Sequence, residues 1–154
     1  MLRVVDAGTR REALQRKVGA GLTREEFQRL ADEGDIRHVG LPESLAFLAT
    51  TIGRQYGEIQ ETLEPILRSD GRVAGVKQVA TGDGLALELQ MYVGAQNPRD
   101  EIHIEGDPDL HVVIQGGTAG YVATPAILVN MIPRLLEAGP GLHTMATLPL
   151  PRLA

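Results

Sequence analysis

The chain predicts an α+β domain in which a mixed or antiparallel sheet is covered on one face by helices. Three observations carry this. Apolar residues recur at helical spacing between residues 23 and 52, they alternate with a period of two from about residue 58 to residue 114, and helical spacing returns after Gly116-Gly117. A run of consecutive strands flanked by helices builds a layered α+β domain rather than a doubly wound sheet. With 154 residues and no internal repeat, low-complexity block or linker, the sequence predicts one domain spanning 1–154, large enough to bury about two-thirds of its unfolded surface.

Leu2 to Val5 reads as a short opening strand, followed by a basic loop with Arg10, Arg11, Arg16 and Lys17. After the small-residue turn Gly19-Ala20-Gly21, a helix runs from Thr23 to about Glu33. Thr23 and Glu26 have the Thr-x-x-Glu spacing of a capping box, Phe27, Leu30 and Ala31 share one face, and Gly34 stops the helix. A second helix, with Pro42 in its first turn, runs to about Ile52. Its Leu45, Phe47, Leu48 and Ile52 predict a mostly buried element.

Ile59, Leu63 and Ile66 mark a strand that Pro65 either confines to a sheet edge or ends, with Glu58, Glu61 and Glu64 as a solvated edge. Val73, Val76 and Val79 lie in the next strand, and Leu85 to Val93 is the clearest alternation in the chain. Asn97-Pro98-Arg99-Asp100 reads as a turn. Ile102–Ile104 and Leu110–Ile114 form a strand pair around Gly106-Asp107-Pro108-Asp109. The last helix carries Ile127, Leu128, Met131, Ile132, Leu135 and Leu136, and Pro133 is expected to kink it. The proline-rich tail from Gly139 has no period and is expected to lie extended on the body.

Composition narrows the function classes. The formal net charge is -5, there is no tryptophan, and the aromatics are Phe27, Phe47, Tyr56, Tyr92 and Tyr121. Stacking platforms and basic surface are too sparse for a nucleic-acid or anionic-membrane partner. The absence of cysteine removes disulfides, thiolate metal sites and cysteine nucleophiles. No stretch approaches the roughly 18 apolar residues of a membrane span, and no secretory leader is visible, so a cytoplasmic protein is expected.

No motif completes a catalytic signature: Gly-x-Gly-x-x-Gly, a Walker loop and Gly-x-Ser-x-Gly are all missing. His103 and His111 can face each other across the predicted strand pair, but surface strand histidines are the commoner reading, and no metal site is assigned. The basic loop is the better candidate. A glycine turn entering a helix aims free N–H groups and the positive end of the helix dipole outward, which suits a carboxylate or phosphate. Arg11 and Arg16 with the backbone of Gly21, Leu22 and Thr23 are therefore the candidate binding residues, and Lys17 is a further cation of that loop. His38, in the turn before the second helix, can hold or release a proton near neutral pH. Gly116-Gly117-Thr118 offers a second set of N–H groups before a helix.

Several stretches together resemble the C-terminal domain of the 2,4-diaminopentanoate dehydrogenase-like family, relatives of dihydrodipicolinate reductase. They are Val4-Val5-Asp6-Ala7, Leu14-Gln15-Arg16-Lys17-Val18-Gly19-Ala20-Gly21-Leu22-Thr23, His38-Val39-Gly40-Leu41-Pro42-Glu43-Ser44, Gln90-Met91-Tyr92-Val93-Gly94-Ala95, Ile104-Glu105-Gly106, Val129-Asn130-Met131-Ile132-Pro133 and the ending 140–149. The resemblance runs over nearly the whole chain. It implies a substrate-binding and oligomerising domain that works with an NAD(P)-binding Rossmann domain, here on a separate protein. It also implies that Lys17 is a proton donor or carboxylate partner; His38, close in sequence to the basic loop, is the second candidate catalytic residue. This chain alone is expected to bind no cofactor. The expected ligand is a small carboxylate-bearing molecule, and the expected assembly is a homodimer or homotetramer through the apolar 85–93 strand. The alternative is a stand-alone domain that binds a small carboxylate or catalyses a non-redox isomerisation or cyclisation. One stretch departs from the family pattern: relatives tend to read Gly-Gly-x-His-Gly-Asp-x-Ala-Thr where this chain has Ala119 and Tyr121 in place of the His and Asp.

Overall fold

The computed structural model describes residues 1–9, 12–36 and 40–152. Six strands form one mixed sheet in the order β2-β3-β4-β1-β5-β6. They are β1 (Leu2–Asp6), β2 (Gln60–Leu67), β3 (Val73–Gly82), β4 (Leu85–Tyr92), β5 (Arg99–Ile104) and β6 (Leu110–Gln115). The helices are α1 (Glu12–Lys17), α2 (Arg24–Asp32), α3 (Leu41–Thr51) and α4 (Gly120–Glu137). The α+β class and the mixed sheet agree with the sequence expectation.

β1 is inserted between β4 and β5, parallel to β4 and antiparallel to β5. Its register sets Arg3 beside Leu89 and Asp100, and Val5 beside Met91. Because side chains alternate across a strand, Arg3, Val5, Leu87, Leu89, Met91 and Asp100 all point to one face. Helices α2 and α3 cover the β3–β4 end of that face. Phe27 of α2 joins Val5, Val73, Val76, Leu89 and Met91 in one buried cluster. Leu45 of α3 joins Ala80 and Leu87 in another. The opposite face is polar, with Lys77 paired to Glu88 and Arg99 to Glu101.

Several expectations change. The loop holding Arg16 and Lys17 is helix α1, whose last turn the two cations close, a placement favoured by the helix dipole. Within α3 only Leu45 and Ala49 are buried, while Phe47 and Ile52 are exposed, so the helix is amphipathic rather than mostly buried. Asp100 lies in β5 and is buried, not in a surface turn. Glu61 is no free edge carboxylate; it accepts a hydrogen bond from the side chain of the buried Gln78. As expected, Pro133 lies inside the last helix, α4, which continues through both it and Pro125. The apolar side of β4, with Leu87, Leu89 and Met91, is buried within the chain's own core. Among the described residues no helix is long and apolar enough to cross a membrane.

Candidate functional site

The glycine turn before α2 does not present free donors. Gly21 N–H donates to Val73 O at 2.8 Å, Leu22 N–H to Gly19 O at 3.2 Å, and Thr23 N–H to Glu26 Oε2 at 2.9 Å. The Gly21 carbonyl accepts from Arg72 Nη1 at 2.8 Å. The capping box forms as expected, and its Glu26 carboxylate fills the place an incoming anion would take. Gly21, Leu22 and Thr23 are thus corrected as anion-binding donors: the fold has already used them. Arg16 is exposed and paired with Glu12 at 2.6 Å. Lys17 is exposed and lines neither of the two cavities described below. Arg11 and His38 lie outside the described residues.

The second glycine turn is spent in the same way. Gly116 N–H donates to Pro98 O at 2.8 Å, Gly117 N–H to Ile114 O at 3.1 Å and Thr118 N–H to Asp100 Oδ2 at 2.7 Å. Consecutive left-handed conformations at Gly116 (φ 77°) and Gly117 (φ 68°) turn the chain from β6 toward α4, and glycine adopts them without steric cost.

That turn builds the wall of a cleft centred on Arg3. One cavity of about 350 Å³ is lined by Arg3, Asp6, Pro98, Asp100, Gly117 and Thr118, among others. A second of about 400 Å³ lies under α1 and α3 and is lined by Leu14, Leu41, Leu87, Leu89, Met91 and Glu88, with Ser44 at its wall. Arg3, Val5 and Tyr121 belong to both. Arg3 is the one base among the lining residues and is fixed from two sides. Its Nη2 donates to Thr118 O at 2.5 Å, and its Nε lies 3.5 Å from Asp100 Oδ1. The Arg3 side chain is 36% exposed and that of Asp100 only 7%. Asp100 Oδ1 has no hydrogen-bond partner beyond this ion-pair contact. A buried carboxylate is tolerable only with such a partner, so Asp100 locks the guanidinium at the junction of the cavities. Arg3, Asp100 and Thr118 escaped the sequence reading because their grouping depends on β1 lying beside β5. The one available signal was Arg3 set among the apolar Leu2, Val4 and Val5 of β1.

Away from the cleft, His103 and His111 do face each other, with ring centroids 6.0 Å apart. His111 is hydrogen-bonded to Glu101 at 2.8 Å. Hydrogen bonds from Arg99 and then from His111 hold the Glu101 carboxyl below its ordinary range. Asp109 accepts from the Gly106 N–H. No group of three or more metal-ligating side chains occurs among the described residues.

The 2,4-diaminopentanoate dehydrogenase C-terminal domain family matches residues 1–154. The chain is 35% identical over 164 residues to the 2,4-diaminopentanoate dehydrogenase of Acetoanaerobium sticklandii, covering 91% of this chain and 46% of that enzyme. The amine dehydrogenase of Mycobacterium smegmatis shares the fold, with a TM-score of 0.75 at 22% identity over 99% of this chain and 51% of that one. The chain spans about half the length of each. It belongs to the 2,4-diaminopentanoate dehydrogenase C-terminal domain family.

Proposed function

We propose that this domain is the substrate-binding and assembly half of an NAD(P)-dependent amino-acid dehydrogenase or imine reductase, acting with a nucleotide-binding Rossmann domain. The observation that carries the reading is the match of the whole chain to one family, in which it spans only about half of the dehydrogenase it resembles. The cleft supports it. Arg3 offers a held guanidinium for a carboxylate, and the second cavity offers an apolar wall for the ligand's body. In this arrangement the carboxylate anchor is Arg3 rather than the Lys17 loop, whose backbone donors are engaged.

Helix α4 supports the two-part reading. Tyr121, Leu128, Ile132 and Leu135 lie at i, i+7, i+11 and i+14, and all are more than half exposed. This spacing makes a continuous apolar stripe suited to packing against another helical layer. We assign the stripe to the nucleotide-binding domain. The sheet carries the homodimer or homotetramer.

Titration with small amino and keto acids tests the ligand assignment. Arg3→Gln should weaken carboxylate binding about tenfold or more, the scale of one charge-assisted contact, with Lys17→Ala leaving it unchanged. The reverse pattern would return the site to the basic loop. Oxidoreductase activity should appear only when the Rossmann domain is supplied. A non-redox turnover by the chain alone would favour a stand-alone enzyme.

A further inference from the structure

The cavity under α1 and α3 is chemically one-sided. Val5, Leu14, Leu41, Leu87, Leu89 and Met91 form its walls, and none of them carries a charge or a hydrogen-bonding side chain. The pairing of β1 with β4 sets Val5 beside Met91 and Arg3 beside Leu89, so the guanidinium stands at the edge of an otherwise apolar floor. At about 400 Å³ the cavity lies at the small end of ligand sites, a size suited to a small metabolite.

Its few polar groups restrict what that metabolite carries. Glu88 is the one acid among the described lining residues. Strand alternation turns its side chain away from Leu87 and Leu89 to the opposite sheet face. There Gln90 Nε2 donates to it at 2.6 Å, and Lys77 Nζ lies 3.7 Å away. Ser44 spends its hydroxyl proton on Gly40 O at 2.7 Å. The Met1 ammonium donates to Ala86 O at 2.8 Å. What remains for a ligand's charge is Arg3, 36% exposed where the two cavities meet. An anion is matched there, whereas an ammonium carried deeper meets aliphatic walls alone. A charge moved from water to such a place without a partner is strongly disfavoured, and a methyl group in the same place is favoured.

We infer that the ligand is a small amino or keto acid with an uncharged aliphatic chain. Its carboxylate sits on Arg3, its chain fills the cavity under α1 and α3, and a second ammonium on that chain is rejected. The inference rests on the Arg3 assignment proposed above and adds the chemistry of the ligand's other end. It sets this chain apart from the Acetoanaerobium sticklandii enzyme, which is named for a diamino acid. Each methylene taken out of water should tighten binding about fourfold, so affinity rises with chain length until the cavity is full.

Norleucine and ornithine have side chains of equal length and differ in a terminal methyl against an ammonium. Titration of the full chain with each, followed by amide NMR shifts, tests the assignment. Norleucine should bind at least about a hundredfold more tightly than ornithine, and affinity should climb from alanine through norvaline to norleucine. Ser44 is exposed at the cavity wall, and Ser44→Asp should narrow the preference for norleucine about tenfold or more by giving the ammonium a partner. If that variant fails to fold, the ligand series on the unaltered chain decides. Arg3→Gln should weaken alanine and norleucine by the same factor, because it removes the end they share. Ornithine binding as tightly as norleucine, a flat series, or a preference unmoved by Ser44→Asp would overturn the aliphatic class. The carboxylate anchor would still stand if Arg3→Gln weakened every acid. No saturable shift with any of these acids, or an Arg3→Gln protein that binds them unchanged, would overturn the anchor and the inference together.

Discussion

Thr23 and Glu26 close the start of α2 on themselves, and their two hydrogen bonds show how far a local motif can be read. The Thr-x-x-Glu spacing was enough to predict the capping box, because its partners lie three residues apart. Thr23→Ala should therefore lower stability by about 1 kcal/mol, seen as a shift in the urea midpoint, and leave ligand affinity alone. A loss of affinity at unchanged stability would mean that the helix start does bind an anion. Spacing could not show that Gly21 N–H has a partner as distant as Val73 O, or that the Glu26 carboxylate stands where a ligand carboxylate was expected. Asp100 shows the same limit. Its neighbours Asn97, Pro98 and Arg99 favour a turn by local chemistry, yet pairing with Arg3 of β1 draws it into a strand and buries it. The carboxylate that organises the cleft thus becomes visible only once the sheet is assembled.

At the scale of elements, the strands with alternation and the helices with caps were legible, and the exceptions have physical causes. Helix α1 has only six residues and no buried side chain, so it leaves no apolar period to read. α4 carries a strong period but two prolines, and each removes an intrahelical hydrogen bond without ending the helix. Its sole buried residue is Met131, and most of its apolar side chains face solvent. A helix with so few buried contacts opens easily. Hydrogen exchange should therefore find the α4 amides of this chain alone exchanging at least tenfold faster than those of β3 and β4. Addition of the nucleotide-binding domain should slow α4 and leave β3 unchanged. Protection of α4 equal to that of β3 in the chain alone would show that the helix needs no partner, and the two-part reading would lose its structural support.

For the whole molecule, runs of strands between helices gave the class, but not the strand order. β1 enters the centre of the sheet beside β4, which follows it by some eighty residues, and no local signal encodes that pairing. Yet this insertion creates the Arg3–Asp100 pair and the face that α2 and α3 only half cover. The same architecture bears on cofactor binding. A dinucleotide pyrophosphate needs a strand leading through a glycine turn into a helix whose first N–H groups are free. Here β1 leads into a 3-10 turn, Ala7–Thr9. The start of α2 is filled by Glu26, and α3 begins with Pro42 and Glu43 in its first turn. The donors of Gly116, Gly117 and Thr118 ahead of α4 are bonded within the chain. Calorimetric titration of this chain with NADH or NADPH should accordingly give no saturable heat, and saturable binding should appear when the Rossmann domain is added. A micromolar dissociation constant for the chain alone would place a nucleotide site within these 154 residues and end the division of labour argued from the family match.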